Sequence, residues 1–137
     1  MTKEGREYGW VFLRVATGAM MFGLHGYARI GKLYEYLVLG KPWGFVGVVE
    51  RIGFPLPGVF AVISGLTEVL APILLILGLG TRWAALVLAI NMVVATSVNL
   101  SKGGGAAELP GMYLVALIAL ALGGAGKYSL DGRGRRS

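Results

Sequence analysis

The chain has 137 residues, a length that fits one domain. Hydrophobic residues make up 55% of it and charged residues only 15%, whereas a soluble domain carries about 25% charged residues. An ordinary soluble domain is therefore disfavoured, and we expect an integral membrane protein. The sequence has no cysteine, which excludes disulfide exchange, thiolate zinc sites and cysteine-ligated iron–sulfur clusters. A single histidine also excludes a haem held by two histidines of one chain.

Four apolar stretches predict four membrane-spanning helices. They cover residues 10–25, 59–79, 83–100 and 109–124, and each approaches the roughly 20 residues that a helix needs to cross a hydrocarbon core of about 30 Å. None alternates apolar and polar residues in the way that strands of a membrane barrel do. We therefore predict a single membrane domain over residues 1–137, an all-α integral membrane protein built as a four-transmembrane-helix bundle.

The first loop, residues 26–56, is too apolar for a flexible linker. Its two apolar runs, residues 33–39 and 45–54, are each too short to span a membrane. We predict an amphipathic segment that lies in the membrane interface or folds over the bundle. Two interpretations of its role stay open: a lid or docking surface, and a segment that only packs.

The distribution of Lys and Arg predicts that both termini lie in the cytoplasm. The two tails and the second loop carry seven of these residues, and the first and third loops carry five. We expect a multi-pass protein of the cell (inner, cytoplasmic) membrane, in contact with membrane lipid. The basic C-terminal stretch Arg133-Gly134-Arg135-Arg136 lies beside the membrane, where lipid phosphate is a nearer partner than nucleic acid. No nucleic-acid partner is predicted.

Two charged residues fall inside predicted spans. Glu68 lies near the middle of the second span, on a stripe of small residues that is expected to face the bundle. Arg14 lies in the first span. Because a charge at a helix centre costs about 2.5–3.5 kcal/mol on insertion scales, we predict that Arg14 pairs with Glu68, unless Arg14 extends to the interface instead. The pair would be a site for a quinone headgroup, a proton or an anion, or only a packing device.

Two further polar residues are candidates for the same ligand site. His25 ends the first span near the outer interface, where it could donate to a quinone carbonyl, move protons or merely touch lipid headgroups. It lies about 16 Å along the helix from Arg14, so one small ligand cannot bind both. Asn91 in the third span could line the site or hydrogen-bond across helices. No metal site is predicted.

Four short motifs follow one another along the chain. The first joins an Arg in span one to a later His-Gly and basic residues; the second is a Glu in span two with a Gly-rich end. The third opens span three, and the fourth follows span four. Their residues are Arg14, Gly18, His25-Gly26, Arg29 and Lys32-Leu33; Glu68 and Leu77-Gly78-Leu79-Gly80-Thr81-Arg82; Ala84-Ala85; and Gly124-Ala125-Gly126-Lys127-Tyr128-Ser129-Leu130-Asp131.

This ordered set resembles the DoxX family of small membrane proteins. The resemblance implies a four-helix membrane protein linked to redox partners, since a related subunit, DoxD, is part of a thiosulfate:quinone oxidoreductase and other relatives are associated with oxidative-stress complexes. The sequence has no second His and no dinucleotide fingerprint between a strand and a helix. No covalently bound cofactor is expected, and a bound quinone or a partner protein would have to carry any electrons.

Three hypotheses of function follow. The first is a subunit of a quinone-linked membrane redox complex, with the intramembrane site built from Arg14 and Glu68 and an enzymatic role only within that complex. The second is a non-catalytic anchor or assembly subunit for a partner protein. The third is a small proton-coupled transporter that uses Glu68. Glycine contributes 23 residues, which suits close helix contacts, so a homo-oligomer is also compatible with the sequence.

Overall fold

The computed structural model describes residues 2–134, and every regular element in that part of the chain is helical, which confirms the predicted all-α fold. Arg135 and Arg136 of the basic C-terminal stretch lie outside the described residues. The elements in chain order are α1 (Lys3–Met21), a π-helical turn (Phe22–Gly26), α2 (Tyr27–Leu37), α3 (Gly44–Ile52), α4 (Pro57–Leu77), α5 (Thr81–Ser101), a 3-10 turn (Gly105–Ala107), α6 (Glu108–Gly123) and α7 (Leu130–Gly134).

Within residues 2–134, three helical segments are long and apolar enough to cross a membrane by length and composition. They are Pro57–Leu77, Thr81–Ser101 and Gly105–Gly123, the last combining the 3-10 turn with α6. They correspond to the predicted second, third and fourth spans. The predicted first span, residues 10–25, lies within α1 and the π-helical turn. α1 contains more charged residues than these three segments and is not among them. That it crosses the membrane stays a prediction.

The predicted first loop, residues 26–56, contains two helices. α2 continues directly from the π-helical turn, and α3 follows a short bend. Both pack against α4 through a cluster of buried apolar residues, Leu33, Trp43, Val49 and Ala61. The opposite side of α2 exposes apolar residues such as Tyr27 and Leu37. The segment folds over the bundle, which is one of the two placements predicted for it.

α4 is the centre of the bundle. α1, α2, α3 and α5 pack against it, and α6 packs against α5. The shared core consists of large apolar side chains that are almost fully buried: Met21, Leu75, Leu88, Leu117 and Leu120. Pro57 stands in the first turn of α4, where its fixed φ suits a helix start. Gly78 ends α4 in the left-handed region, with φ 70°.

After α6 the chain folds back beneath the bundle, and we call residues 124–134 the C-terminal clasp. The Asp131 carboxylate accepts hydrogen bonds from the backbone N–H groups of Gly80 (2.9 Å) and Thr81 (3.1 Å). These groups begin α5 and have no partner within their own helix. The Asp131 N–H donates to the Gly78 carbonyl at 3.0 Å. Asp131 is therefore a distant N-cap for α5 and joins the clasp to the turn between α4 and α5.

The C-terminal clasp also binds α1. Trp10 Nε1 donates to the Gly124 carbonyl at 2.8 Å, and Arg14 Nη2 donates to the Tyr128 carbonyl at 2.7 Å. These two bonds join the middle of α1 to the clasp. The predicted placement of both termini on the cytoplasmic side of the membrane stays a prediction.

Candidate functional site

Glu68 is paired with Arg29 of α2. Arg29 Nε donates to Glu68 Oε2 at 2.6 Å, and the two side chains are 27% and 11% exposed. The predicted pair of Arg14 with Glu68 is therefore wrong, and a site built from those two residues does not form. Arg14 instead extends away from Glu68 and binds the clasp. The alternative prediction also had Arg14 extending away from Glu68, toward the membrane interface.

The relative position of α1 and α4 explains the difference. A Cβ on Gly26 would lie 2.5 Å from the Glu68 backbone oxygen, so the end of the π-helical turn faces Glu68. The Arg14 guanidinium, by contrast, occupies the space that a Cβ on Gly78 would need. About 15 Å of helix separates Glu68 from Gly78. Arg14 therefore lies at a different depth in the bundle, and Arg29 is the cation that reaches Glu68.

Arg29 is held in place by aromatic rings as well as by Glu68. Its guanidinium carbon lies 4.6 Å from the centre of the Phe45 ring and 5.6 Å from that of Trp43. Such contacts stabilise a cation in an apolar setting. Its Nε is bonded to Glu68, and among the described residues no hydrogen-bond partner is found for Nη1 or Nη2. Two donor groups thus remain available beside a carboxylate.

A larger cavity of about 450 Å³ lies between α3, α4 and α5. Its walls are mostly apolar, and Arg29 and Glu68 stand at its edge with Asn91 and Asn99. The apolar lining includes Phe45, Val48, Ile52, Phe60, Ile63, Ile90, Val94 and Val98. α3 packs on α4 and makes no extended contact with α5 in the described part of the chain. The cavity is therefore a cleft between α3 and α5.

A smaller cavity of about 260 Å³ lies on the other side of the ion pair. Arg29, Glu68, Ala95 and Asn99 line both cavities, so the pair stands between them. The remaining walls of the smaller cavity come from the end of α1, the π-helical turn, α5, the 3-10 turn and α6, and they include Met21, His25, Met92, Pro110 and Tyr113. The ring of His25 meets the ring of Tyr113 edge-on, with 5.9 Å between their centres.

Three of the four residues predicted for the site lie around these cavities. Glu68 lines both, His25 lines the smaller one and Asn91 the larger one. Asn91 Nδ2 also donates to the Ser64 carbonyl at 3.3 Å, so the predicted bond across helices is present as well. Arg14 lies apart. Whether the three residues bind a ligand stays a prediction.

Sequence analysis did not place Arg29 or Tyr113 in the site. Arg29 was one of the motif residues, but it fell in a segment interpreted as an interfacial loop. The structure shows that a helix runs from the π-helical turn through Arg29, and π-helical turns are frequent at functional sites. The spacing of His25 and Arg29, four residues apart, would have placed both on one face of that helix.

Comparison with known proteins gives a family match. The model of the DoxX family matches residues 9–100, a range that contains His25, Arg29, Glu68 and Asn91 and ends before the C-terminal clasp. An uncharacterised protein of Haemophilus influenzae is 34% identical over 139 residues, which cover 93% of this chain and 92% of the relative. An uncharacterised membrane protein of Mycobacterium tuberculosis is 36% identical over 102 residues, 64% of this chain and 63% of the relative. No solved structure matches.

Proposed function

The chain belongs to the DoxX family of membrane proteins, and from that premise we propose that it is a membrane subunit of a quinone-linked redox complex. The ligand site of this proposal is the larger cavity, with Arg29 and Glu68 at its polar edge. One observation carries it: a charged pair lines a mostly apolar cleft of about 450 Å³. Small-molecule sites commonly combine such an apolar volume with a few polar groups that fix orientation.

The chemistry of a quinone suits this cleft. A quinone presents carbonyl oxygens, which only accept hydrogen bonds, on a flat ring that carries an apolar tail. Arg29 Nη1 and Nη2 would donate to one carbonyl while Nε stays bonded to Glu68. The side-chain amides of Asn91 and Asn99 supply further donors at the cavity wall. The apolar side chains of α3 and α5 would cover the ring and the first part of the tail.

The position of the cleft supports a ligand that arrives from the lipid. α4 and α5 have the length and composition of membrane spans, and the cleft opens between α3 and α5 rather than through the packed core. A quinone resides in the hydrocarbon layer and would enter sideways, without passing through water. When bound, the quinone supplies the capacity to take up two electrons and two protons; Arg29 and Glu68 bind it and hold its orientation.

The electron donor in this proposal is a partner protein. The sequence has no cysteine and one histidine, so a redox partner or a bound quinone has to carry the electrons. We place this chain in a complex, in the cell membrane, with both termini in the cytoplasm. The clasp end of the bundle, where Lys127 and Arg82 are exposed, is the end assigned to the cytoplasmic side.

The test is quinone binding by the purified protein in lipid nanodiscs. We expect quinone to be extracted in near-stoichiometric amount from the unaltered chain, and decylubiquinone to bind again after its removal. Arg29→Gln should lower that affinity about tenfold or more, because a hydrogen bond to a charged group contributes about 1.5–3 kcal/mol.

Arg51→Gln is the matched control for this test. Arg51 lies on α3, is exposed, and donates its Nε to the Gly47 carbonyl on the surface. Equal affinities of the Arg29→Gln and Arg51→Gln proteins, or no quinone on the unaltered chain, would contradict the proposal. A tightly bound partner protein without any quinone would favour the anchor hypothesis instead.

A further inference from the structure

We propose that the smaller cavity is a hydrated route by which protons reach Glu68, entered from the end of the bundle opposite the C-terminal clasp. The inference rests on the proposed function, because the proton taken up by Glu68 accompanies the ligand bound at Arg29. The step is a simple transfer: a hydronium ion in the cavity gives its proton to a Glu68 carboxylate oxygen and leaves as water.

The first observation is that Glu68 lines both cavities. Its Oε2 accepts from Arg29, and the side chain separates the apolar cleft from the smaller cavity. A ligand in the cleft and water in the smaller cavity would thus meet at one carboxylate. Intramembrane carboxylates with this kind of two-sided access are used as proton relays.

The second observation is the polarity of the smaller cavity. The Tyr113 hydroxyl is buried and has no hydrogen-bond partner among the described residues, and a buried group in that state costs about 1–3 kcal/mol unless water satisfies it. His25 and Asn99 add polar groups to the same wall. A volume of about 260 Å³ far exceeds the roughly 10–15 Å³ of this kind of volume that one water needs. The cavity therefore has the room and the partners for several waters.

The third observation is where the cavity opens. Ala106 of the 3-10 turn lines it, as do Leu109 and Pro110 in the first turn of α6. His25 is exposed at the same end. The clasp lies at the other end, where α4 meets α5. Proton exchange would thus take place with one face of the membrane only, and the exposed His25 stands at the entrance.

The charges around Glu68 link its protonation to the ligand. Arg29 of α2 is its direct partner; His25 of the π-helical turn and Tyr113 of α6 line the smaller cavity, and Lys102 after α5 lines the larger one. α1 and α3 contribute only apolar side chains to these cavities. A ligand that gains negative charge beside Arg29 would weaken the ion pair between Arg29 and the Glu68 carboxylate. A carboxylate that loses its cation in an apolar setting takes up a proton.

The first experiment measures how fast introduced cysteines react with a thiol reagent. The sequence has no cysteine of its own, so only the introduced residue reacts. Met92 lines the smaller cavity and is 7% exposed, whereas Leu88, one turn away on α5, is in the core and 0% exposed. In sealed vesicles we expect a small charged thiol reagent to modify Met92→Cys at least tenfold faster than Leu88→Cys. The fast reaction should occur only from the face opposite the clasp. If Met92→Cys does not fold, Met21→Cys, which lines the smaller cavity and not the larger one, replaces it.

The second experiment follows the Glu68 carboxyl band by infrared spectroscopy after a pH jump, with the band assigned by its loss in Glu68→Gln. We expect Tyr113→Phe to slow proton exchange at Glu68 at least tenfold, and His25→Gln to slow it as well. Tyr27→Phe, on the exposed side of α2, is the control. Equal labelling of Met92→Cys and Leu88→Cys, or unchanged exchange in Tyr113→Phe, would overturn the route even where quinone binds normally. Failure of quinone binding with fast labelling would instead overturn the proposed function.

Discussion

Two buried charges, Arg14 at the clasp end of the bundle and Glu68 near the middle of α4, have different surroundings. Arg14 is 2% exposed and Glu68 is 9% exposed. Arg14 is enclosed by backbone: it donates to the Tyr128 carbonyl and lies against Gly78. Glu68 has a partner side chain, Arg29, and a cavity on either side. The two charges are therefore similarly buried but differ in the space beside them.

The contacts of the clasp stabilise the fold, and the cavity of about 530 Å³ at this end is not lined by Arg14. The clasp contacts satisfy backbone groups at the start of α5, join α1 to the chain end and leave no room beside Arg14. This accounts for the fourth sequence motif, whose Gly124 accepts from Trp10 and whose Asp131 caps α5. Around Glu68, near the middle of α4, two cavities remain between the helices. Three predictions test the contrast, and they are ordered by the expected change in the free energy of unfolding.

Arg14→Met should give the largest loss of stability. The substitution keeps the apolar stem but removes the hydrogen bond to the Tyr128 carbonyl and the attraction between the Arg14 charge and Asp131. Because Arg14 Nε and Nη1 are buried without partners among the described residues, relief of that cost offsets part of the loss. We expect the free energy of unfolding to fall by about 2 kcal/mol, measured by SDS titration in mixed micelles.

The quinone affinity of the Arg14→Met protein is the second measurement on this variant. The folded Arg14→Met protein should bind decylubiquinone as the unaltered chain does, since Arg14 lines neither cavity. A large loss of decylubiquinone affinity in the folded Arg14→Met protein would show that Arg14 influences the quinone site.

Asp131→Ala should have a smaller effect on stability, about 1 kcal/mol, which is typical for removal of an N-cap. The substitution frees the N–H groups of Gly80 and Thr81 and detaches α7 from the turn between α4 and α5. Hydrogen exchange should rise at those two amides and not at the start of α4. Asp131→Asn is the paired variant, because one amide oxygen can still accept, and it should lose less stability than Asp131→Ala.

The sequence predicted the helices better than it predicted their contacts. Apolar length is a local property, so three of the four predicted spans reappear as α4, α5 and the segment ending with α6. The partner of Glu68 is not a local property. It depends on Gly26 allowing the π-helical turn to approach α4, and on α2 forming a helix where a loop was expected. The cap on α5 likewise joins residues 50 and 51 positions apart.

Glu68→Gln should change stability least and function most. The Gln side-chain oxygen can still accept from Arg29 Nε, and Arg29 keeps its contacts with Phe45 and Trp43. We therefore expect a loss of about 0.5 kcal/mol in the free energy of unfolding. Proton uptake on quinone binding, measured by calorimetry in buffers of different ionisation enthalpy, should disappear because the titrating carboxyl is gone.

Glu35→Gln is the matched control for the Glu68 substitution. Glu35 pairs with Lys32 at 3.4 Å in an exposed i,i+3 contact, and such a pair contributes at most about 1 kcal/mol. It should leave both stability and proton uptake nearly unchanged. If Glu68→Gln destabilised the protein as much as Arg14→Met and left proton uptake intact, the carboxylate would be a packing element. The cavities beside Glu68 would then not indicate a binding site, and the distinction between Arg14 and Glu68 would not hold.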